Sequence, residues 1–381
     1  MAYQKPLVSS ANKIQVLPVV DAINHGDFPS WATNSLAWAQ TRRALAARAG
    51  VNNTCSQLTA TAVTSGSITA DTAKWIGGII APTGAIYGIP TDGTTILKID
   101  PATDTAITFG AFAGTTKWIG GVLAPNGCIY GIPTDSTSVL KIDTTTDATT
   151  TFGALAEDIN KWCGGTVAAN GMIYGVPYSS TTVLKIDPAT DTITTFGSAG
   201  AGTIKWDSGV LAPNGCIYCI PQNAQTILKI DPTTDTITTF GSLLSDLNKW
   251  VGGVIALNGM IYGIPHSSTT VLKIDTTTDT VTTFGSLTGT YKWASGVLGS
   301  NGYIYGIPCS SATVLRIDPT TDTATTFGSL GAATFKYFGG AVSFNGTIYA
   351  IPYSADSFLK IGSAGVDVPI DFCMSRHFNK F

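Results

Sequence analysis

The sequence predicts an all-β protein: a seven-bladed β-propeller closed by an N-terminal latch strand, with a small N-terminal strand/helix adaptor. Three observations predict it. A segment of the type "KWIGGVLAPNGCIYGIP" occurs seven times, beginning at Lys74, Lys117, Lys161, Lys205, Lys249, Lys292 and Lys336, in steps of 43, 44, 44, 44, 43 and 44 residues. Each unit reads as four short strands with no helix-length pattern between them. The seventh unit stops short of its fourth strand, and the missing piece stands upstream of the first unit. A period of this length marks one supersecondary unit that buries its faces only by stacking on neighbours.

Residues 1–55 do not repeat. Within them "KIQVLPVVDAI" alternates as a strand does, and "SWATNSLAWAQTRRALAARAG" reads as a helix with Ser30 as N-cap and Gly50 as stop. Trp31, Trp38 and Leu45 are seven apart and give that helix a narrow apolar stripe, suited equally to the side of the propeller or to another chain. Next, "TATAVTSGSI" (Thr59–Ile68) aligns with "TDTATTFGSL" of the sixth unit, so it is expected to complete the last blade and fix the count at seven. In the fifth unit the strands are "KWVGGVIAL", "GMIYGIP", "TTVLKID" and "TVTTFGS". They are separated by Asn258-Gly259, by the Ser-Ser after Pro265 and by the turn from Asp275 to Asp279.

With the latch outermost, "KWxGG" is innermost, and pairs such as Gly77-Gly78 and Gly252-Gly253 leave room where seven blades converge. The outer strands alternate threonine with apolar residues, which suits an edge that must not recruit other strands. The propeller is therefore expected over residues 56–361. Residues 362–381, which include "GVDVPIDFCMSRHF", are expected to form an extended tail able to pair with the N-terminal strand.

Composition excludes several functions. Charged residues are 12% of the chain and the net charge is −3, so neither nucleic acid nor an anionic membrane is an expected partner. No apolar run reaches membrane-spanning length, and the start carries no signal-peptide pattern, which implies synthesis in a reducing cytoplasm. Seven cysteines without framework spacing do not predict disulfides.

Catalytic and metal constellations are not expected. Of three histidines only His266 lies in the repeats, at a position held elsewhere by Thr91, Thr134, Tyr178, Gln222, Cys309 and Tyr353. No nucleophile–base–carboxylate set can be assembled around it. "CIYC" at Cys216 to Cys219 puts its sulfurs on opposite faces of a strand. Aspartate pairs such as Asp100 with Asp104 lack the other ligands of a calcium loop and read as turn chemistry. The third-strand basic residues, Lys98, Lys141, Lys185, Lys229, Lys273, Arg316 and Lys360, are expected to pair with those turn aspartates. No cofactor or metal is expected.

Binding has better candidates. The loops after "IYGIP" differ most between copies, and they emerge on the same face as the variable loops before Lys-Trp. Tyr178, Gln222, His266 and Tyr353 are the candidate ligand contacts. The seven Lys-Trp lysines are either stems covering the inner aromatics or a cationic ring at the channel mouth. Asp207 stands where other copies have Ile76, Ile119, Cys163, Val251, Ala294 or Phe338, either pairing with a ring lysine or marking one distinct blade.

The stretch "NGMIYGIPHSSTTVLKIDTTTDTVTTFG" resembles the YVTN and kelch-like propeller repeats over roughly residues 57–361. The resemblance implies the fold and not a function, since propellers host lectins, lyases, oxidases and scaffolds. The glutamate- and histidine-bearing sites of enzymatic relatives have no counterpart here. A propeller with a non-repeated adaptor at one pole also resembles phage tail or head appendages. The expectation is thus a non-enzymatic virion or extracellular-surface protein, joined to other virion or assembly proteins through residues 1–55 and presenting its body to a cell-surface glycan. The alternatives are a stand-alone lectin and, third, a lyase- or oxidase-type enzyme using His266 with Asp207, Asp246 or Glu157.

Overall fold

A computed structural model describes residues 6–8, 14–16, 60–66, 68 and 71–363. Strands Pro6–Val8 and Ile14–Val16 form an antiparallel pair with Leu7 opposite Gln15. The helix expected after Ser30 and the tail beyond residue 363 lie outside the described residues. No helix occurs among those described.

The rest is seven four-stranded antiparallel sheets. In blade 4 the strands run Trp206–Leu211, Ile217–Pro221, Ile227–Asp231 and Thr236–Phe240, from the axis outward. Position in the blade explains composition. "IYCIP" is buried throughout because both its faces meet neighbouring blades, whereas "TITTF" is exposed along its threonines. Apolar clusters form between successive blades, so each strand face is buried by the next unit and not by its own. The cluster of Trp75, Ile86 and Leu97 with Tyr349, Ile351 and Phe358 joins blade 7 to blade 1.

Closure follows the expected route. Ala60–Ser65 lies antiparallel to Phe358–Ser363, with Val63 opposite Lys360, and is the outermost strand of blade 7. One blade is thereby built from both ends of the repeat array.

At the axis the inner strands bulge. The register shifts between Trp206 and Gly209 in blade 4, with equivalent shifts in the other six blades. The first glycine of the pair adopts positive φ, as at Gly77 (81°) and Gly339 (84°). A Cβ on Gly339 would stand 2.7 Å from Cα of Gly77, so closing the ring requires glycine there.

A belt of polar contacts binds the blades nearer the rim. Lys141 meets Asp191 Oδ2 at 2.6 Å, and Tyr130 donates its hydroxyl proton to Oδ1 of the same carboxylate at 2.9 Å. The lysine also lies over the tyrosine ring, 5.7 Å from its centre. The same three residue types recur with Asp147, Asp235, Asp279 and Asp322. Lys360 and Tyr349 of blade 7 reach Asp104 of blade 1, carrying the belt across the seam. Lysines do pair with turn aspartates, always with the second of each pair and always in the next blade. In blade 6, Arg316 replaces the lysine and sits over Tyr303.

Candidate functional site

The Lys-Trp end of the axis is where the repeat stops repeating. The residue after each "IYGIP" proline and the loop before each Lys-Trp meet there, joined by bonds such as Lys117 N–H to Thr91 O. One letter of the variable loop has a constant task. Asp92, Asp135, Ser179, Asn223, Ser267 and Ser310 each accept the backbone N–H of the residue before the next Lys-Trp. Aspartate, asparagine and serine are interchangeable as acceptors, so this variation is chemical synonymy.

The lysine ring is not a free cationic mouth. All seven lysines are buried. Their ammonium groups donate to backbone carbonyls of the loop three residues upstream or of the preceding blade, as Lys336 does to Ala333 and Ser311. Lys74 reaches Asp71 and Ala355; Lys117, Gly114 and Thr91; Lys205, Gly202 and Ser180. Lys161 and Lys249 bond to Asp158 and Asp246 carbonyls, and Lys292 to those of His266, Ser268 and Gly289. Burial lowers the Lys249 and Lys292 ammonium groups to about 8. These cations staple the wheel together.

His266 is also architectural. It is buried, and its Nδ1 lies 2.8 Å from Trp293 O, the bond that Thr134 Oγ1 makes to Trp162 O in an earlier blade. Burial pushes its imidazole below the usual range, so it is neutral at physiological pH.

The remaining axial residues form a cluster. Asp207 is buried; its Oδ1 accepts Gly252 N–H at 2.9 Å and its Oδ2 accepts the Cys163 thiol at 3.2 Å. No basic side chain pairs with it among the described residues. Burial raises its carboxyl to about 6 and raises the Cys163 thiol well above its ordinary range. Tyr178 is half-buried, contacts Gln222 and lies within electrostatic reach of Cys163, Asp207 and Tyr353; burial keeps its phenol protonated. Gln222 donates from Nε2 to Asn248 Oδ1 at 3.0 Å, and its buried Oε1 has no partner among the described residues. Tyr353 packs on Phe338 at 5.7 Å, and Phe338 borders the apolar group of Val251, Ala294 and Cys309.

Outside this cluster, on the same end, the rings of Tyr291 and Phe335 lie 5.6 Å apart, each 39% exposed, and His266 meets Tyr291 edge-on. A groove of about 510 Å³ between Phe112, Trp118, Asp135 and Glu157 is lined by one ring lysine, Lys117, and by none of Tyr178, Asp207, Gln222 or Tyr353. The structure thus gathers Tyr178, Gln222 and Tyr353 with Asp207, sets His266 into the wall, and keeps Asp246 and Glu157 out of the cluster.

The repeat described as a repeat of unknown function (DUF6923) matches residues 86–205 and 165–298, more than half the chain. The chain belongs to this family. The DUF6923 wheel superposes on streptogramin B lyase with a TM-score of 0.69 at 14% identity, over 79% of this chain and 97% of that one. Catalytically inactive virginiamycin B lyase from Staphylococcus aureus with quinupristin gives 0.68 at 12%, over 79% and 98%. The extracellular domain of a putative one component system from B. thetaiotaomicron gives 0.61 at 12%, over 77% of this chain and 41% of that one. No curated protein matches the chain by sequence.

At these identities the likeness shows the fold alone. It still corrects one expectation, that the chain is not an enzyme: the wheel is of a kind on which a lyase operates, so architecture gives no ground for excluding catalysis. The YVTN and kelch likeness remains one of sequence pattern, and the family shown is the DUF6923 repeat.

Sequence reasoning singled out Asp207 but not its partner. Cys163 precedes it by 44 residues, one repeat, so the two fill one column in adjacent copies. Tyr291 and Phe335 were missed as surface aromatics; the signal was a bulky residue directly before Lys-Trp. Both have positive φ, 51° and 50°, the backbone conformation shared by every residue at that position.

Proposed function

We propose that the protein is a recognition module that binds a glycan at the Lys-Trp end of its axis. Residues 1–55 would join it to other virion or assembly proteins, with the wheel facing outward on a virion or extracellular surface. One observation carries the reading: departures from the repeat concentrate at this end, where polar groups and aromatic rings lie side by side. Aromatic faces with a few placed hydrogen-bonding groups suit a sugar, whose C–H faces stack while its hydroxyls need partners.

A glycan array followed by calorimetry on the full chain tests this. Stoichiometric binding is expected, lost by roughly tenfold or more in Tyr178→Ala and Tyr353→Ala with melting temperature kept. Absence of any glycan bound by the wild type overturns it. For the attachment role, deletion of residues 1–55 is expected to abolish co-purification with a large particle.

A second reading is catalytic, favoured by the Asp207 carboxyl at about 6 beside a thiol and a phenol, near the range useful to a general acid or base. Turnover of the bound glycan by wild type and not by Asp207→Asn would favour it; intact glycan after prolonged incubation would remove it.

A further inference from the structure

We propose that the group seated in the axial mouth is an organic ammonium, as on an amino sugar, held by Asp207, by Gln222 Oε1 and by the faces of Tyr178 and Tyr353. This rests on the reading that the axial end binds a ligand, and specifies the ligand's chemistry.

Among the described residues, Asp207 is a carboxylate with only a backbone N–H and a neutral thiol as partners. A buried charge is ordinarily paired or coordinated, and neither donor supplies a positive charge. The lysines that could supply one are turned onto carbonyls. The described residues hold no cluster of three or more histidine, cysteine or acidic side chains to fix a metal ion beside it.

Gln222 Oε1 points to a donor independently of Asp207. It is buried and has no partner among the described residues, and it only accepts, so what completes it must donate. The amide bonds to Asn248 and contacts Tyr178, whose phenol lies within electrostatic reach of Asp207, so the two groups share Tyr178 as a neighbour. An ammonium offers three donors and a charge: one for Gln222, one for Asp207, and the charge for both the carboxylate and the ring faces. A hydroxyl would satisfy Gln222 yet leave Asp207 uncompensated, and an anion would be repelled by it.

The test titrates the full chain at neutral pH with glucosamine, N-acetylglucosamine, glucose, ethylammonium chloride and potassium chloride. Expected are saturable binding of ethylammonium, and glucosamine tighter than the two neutral sugars by roughly tenfold. Asp207→Asn and Gln222→Leu should each abolish that preference while melting cooperatively. A readout independent of any variant is the carboxyl carbon resonance of Asp207 in the wild type, whose titration should move toward the ordinary carboxylate range on saturation with ethylammonium.

Equal affinity for glucosamine and glucose overturns the ammonium and leaves the glycan reading standing. Ethylammonium binding with no sugar bound supports the ammonium and overturns the glycan. Potassium reproducing the carboxyl shift at equal concentration overturns the organic cation in favour of an inorganic one. No response of the carboxyl resonance to any probe overturns the site.

Discussion

At the rim, Tyr130, Lys141 and Asp191 make the contacts that Tyr174, Lys185 and Asp235 make one blade later. At the Lys-Trp end of the axis, the column that is Ile76 in blade 1 is Asp207 in blade 4 and Phe338 in blade 7. Both regions lie between blades, and both contain carboxylates. They differ in compensation: each rim aspartate that closes a clasp receives a lysine and a tyrosine, whereas Asp207 receives no cation from the described residues. Identical copies are what stacking energetics favours, because one interface geometry serves all seven junctions. A column that departs from its copies and carries a buried charge that no described residue compensates answers to something besides stacking, which is why the axial end and not the rim is the candidate site.

Rim and axis both depend on a closed wheel, and the latch is where closure is most completely undone. Deleting residues 56–66 strips blade 7 of its outer strand and exposes the edge of Phe358–Ser363. The expected loss exceeds about 4 kcal/mol, beyond what single side chains ordinarily contribute. Chemical denaturation should show reduced, less cooperative stability; an unchanged midpoint would mean that the ring does not depend on its seam. Next in size is Gly339→Ala, where positive φ and the 2.7 Å approach to Gly77 combine. It should cost roughly 2–4 kcal/mol, while Gly127→Ala, with open space around its Cβ, should show only the backbone penalty.

Asp207 sharpens the contrast through pH. Its folded carboxyl sits at about 6, above the ordinary 3.8, because burial disfavours the charge. The folded state therefore holds the proton more tightly than the unfolded chain. The group's stabilising contribution is complete below about pH 4 and is lost as pH rises through about 6. Asp207→Asn should remove this dependence and leave the variant more stable than wild type at neutral pH, by up to about 3 kcal/mol. Denaturation midpoints across that window check it; a variant less stable at neutral pH would mean that the charge is compensated after all.

Most of the wheel was legible because it is written in one dimension. Period, strand order, the glycine column and the displaced fourth strand are all statements about spacing, and spacing survives in a sequence. The clasp was only half legible. Lysine and aspartate were paired correctly as types, but the partner's blade depends on how twisted sheets stack, which fixes Lys141 to Asp191 and not to its own turn. The axial site was less legible still. Tyr178, Gln222 and Tyr353 stood out by differing from their copies, yet His266 differed as much and proved to be a wall residue bonded to Trp293 O. Variation marks positions released from the repeat, and only burial and partners separate a contact from a substitute strut.

A single rim clasp should have the smallest effect, and its size decides whether the belt is redundant. The Lys141 and Asp191 side chains are 24% and 34% exposed, so solvent screens the ion pair and its own contribution is about 1 kcal/mol or less. Asp191→Ala also removes the acceptor of the Tyr130 hydroxyl, although Pro188 O at 3.3 Å and the Asn126 amide remain beside it. The variant should therefore lose about 1–2 kcal/mol, little of it recoverable by salt. Lys141→Met should lose less, since it leaves the tyrosine–carboxylate bond intact. The clasp at Asp104 is the informative exception, because it joins the two ends of the array across 256 residues. If Asp104→Ala costs no more than Asp191→Ala, closure rests on the latch and the apolar cluster behind it. If it costs distinctly more, the clasp contributes to holding the ring shut, and the belt is not uniform even where its chemistry is.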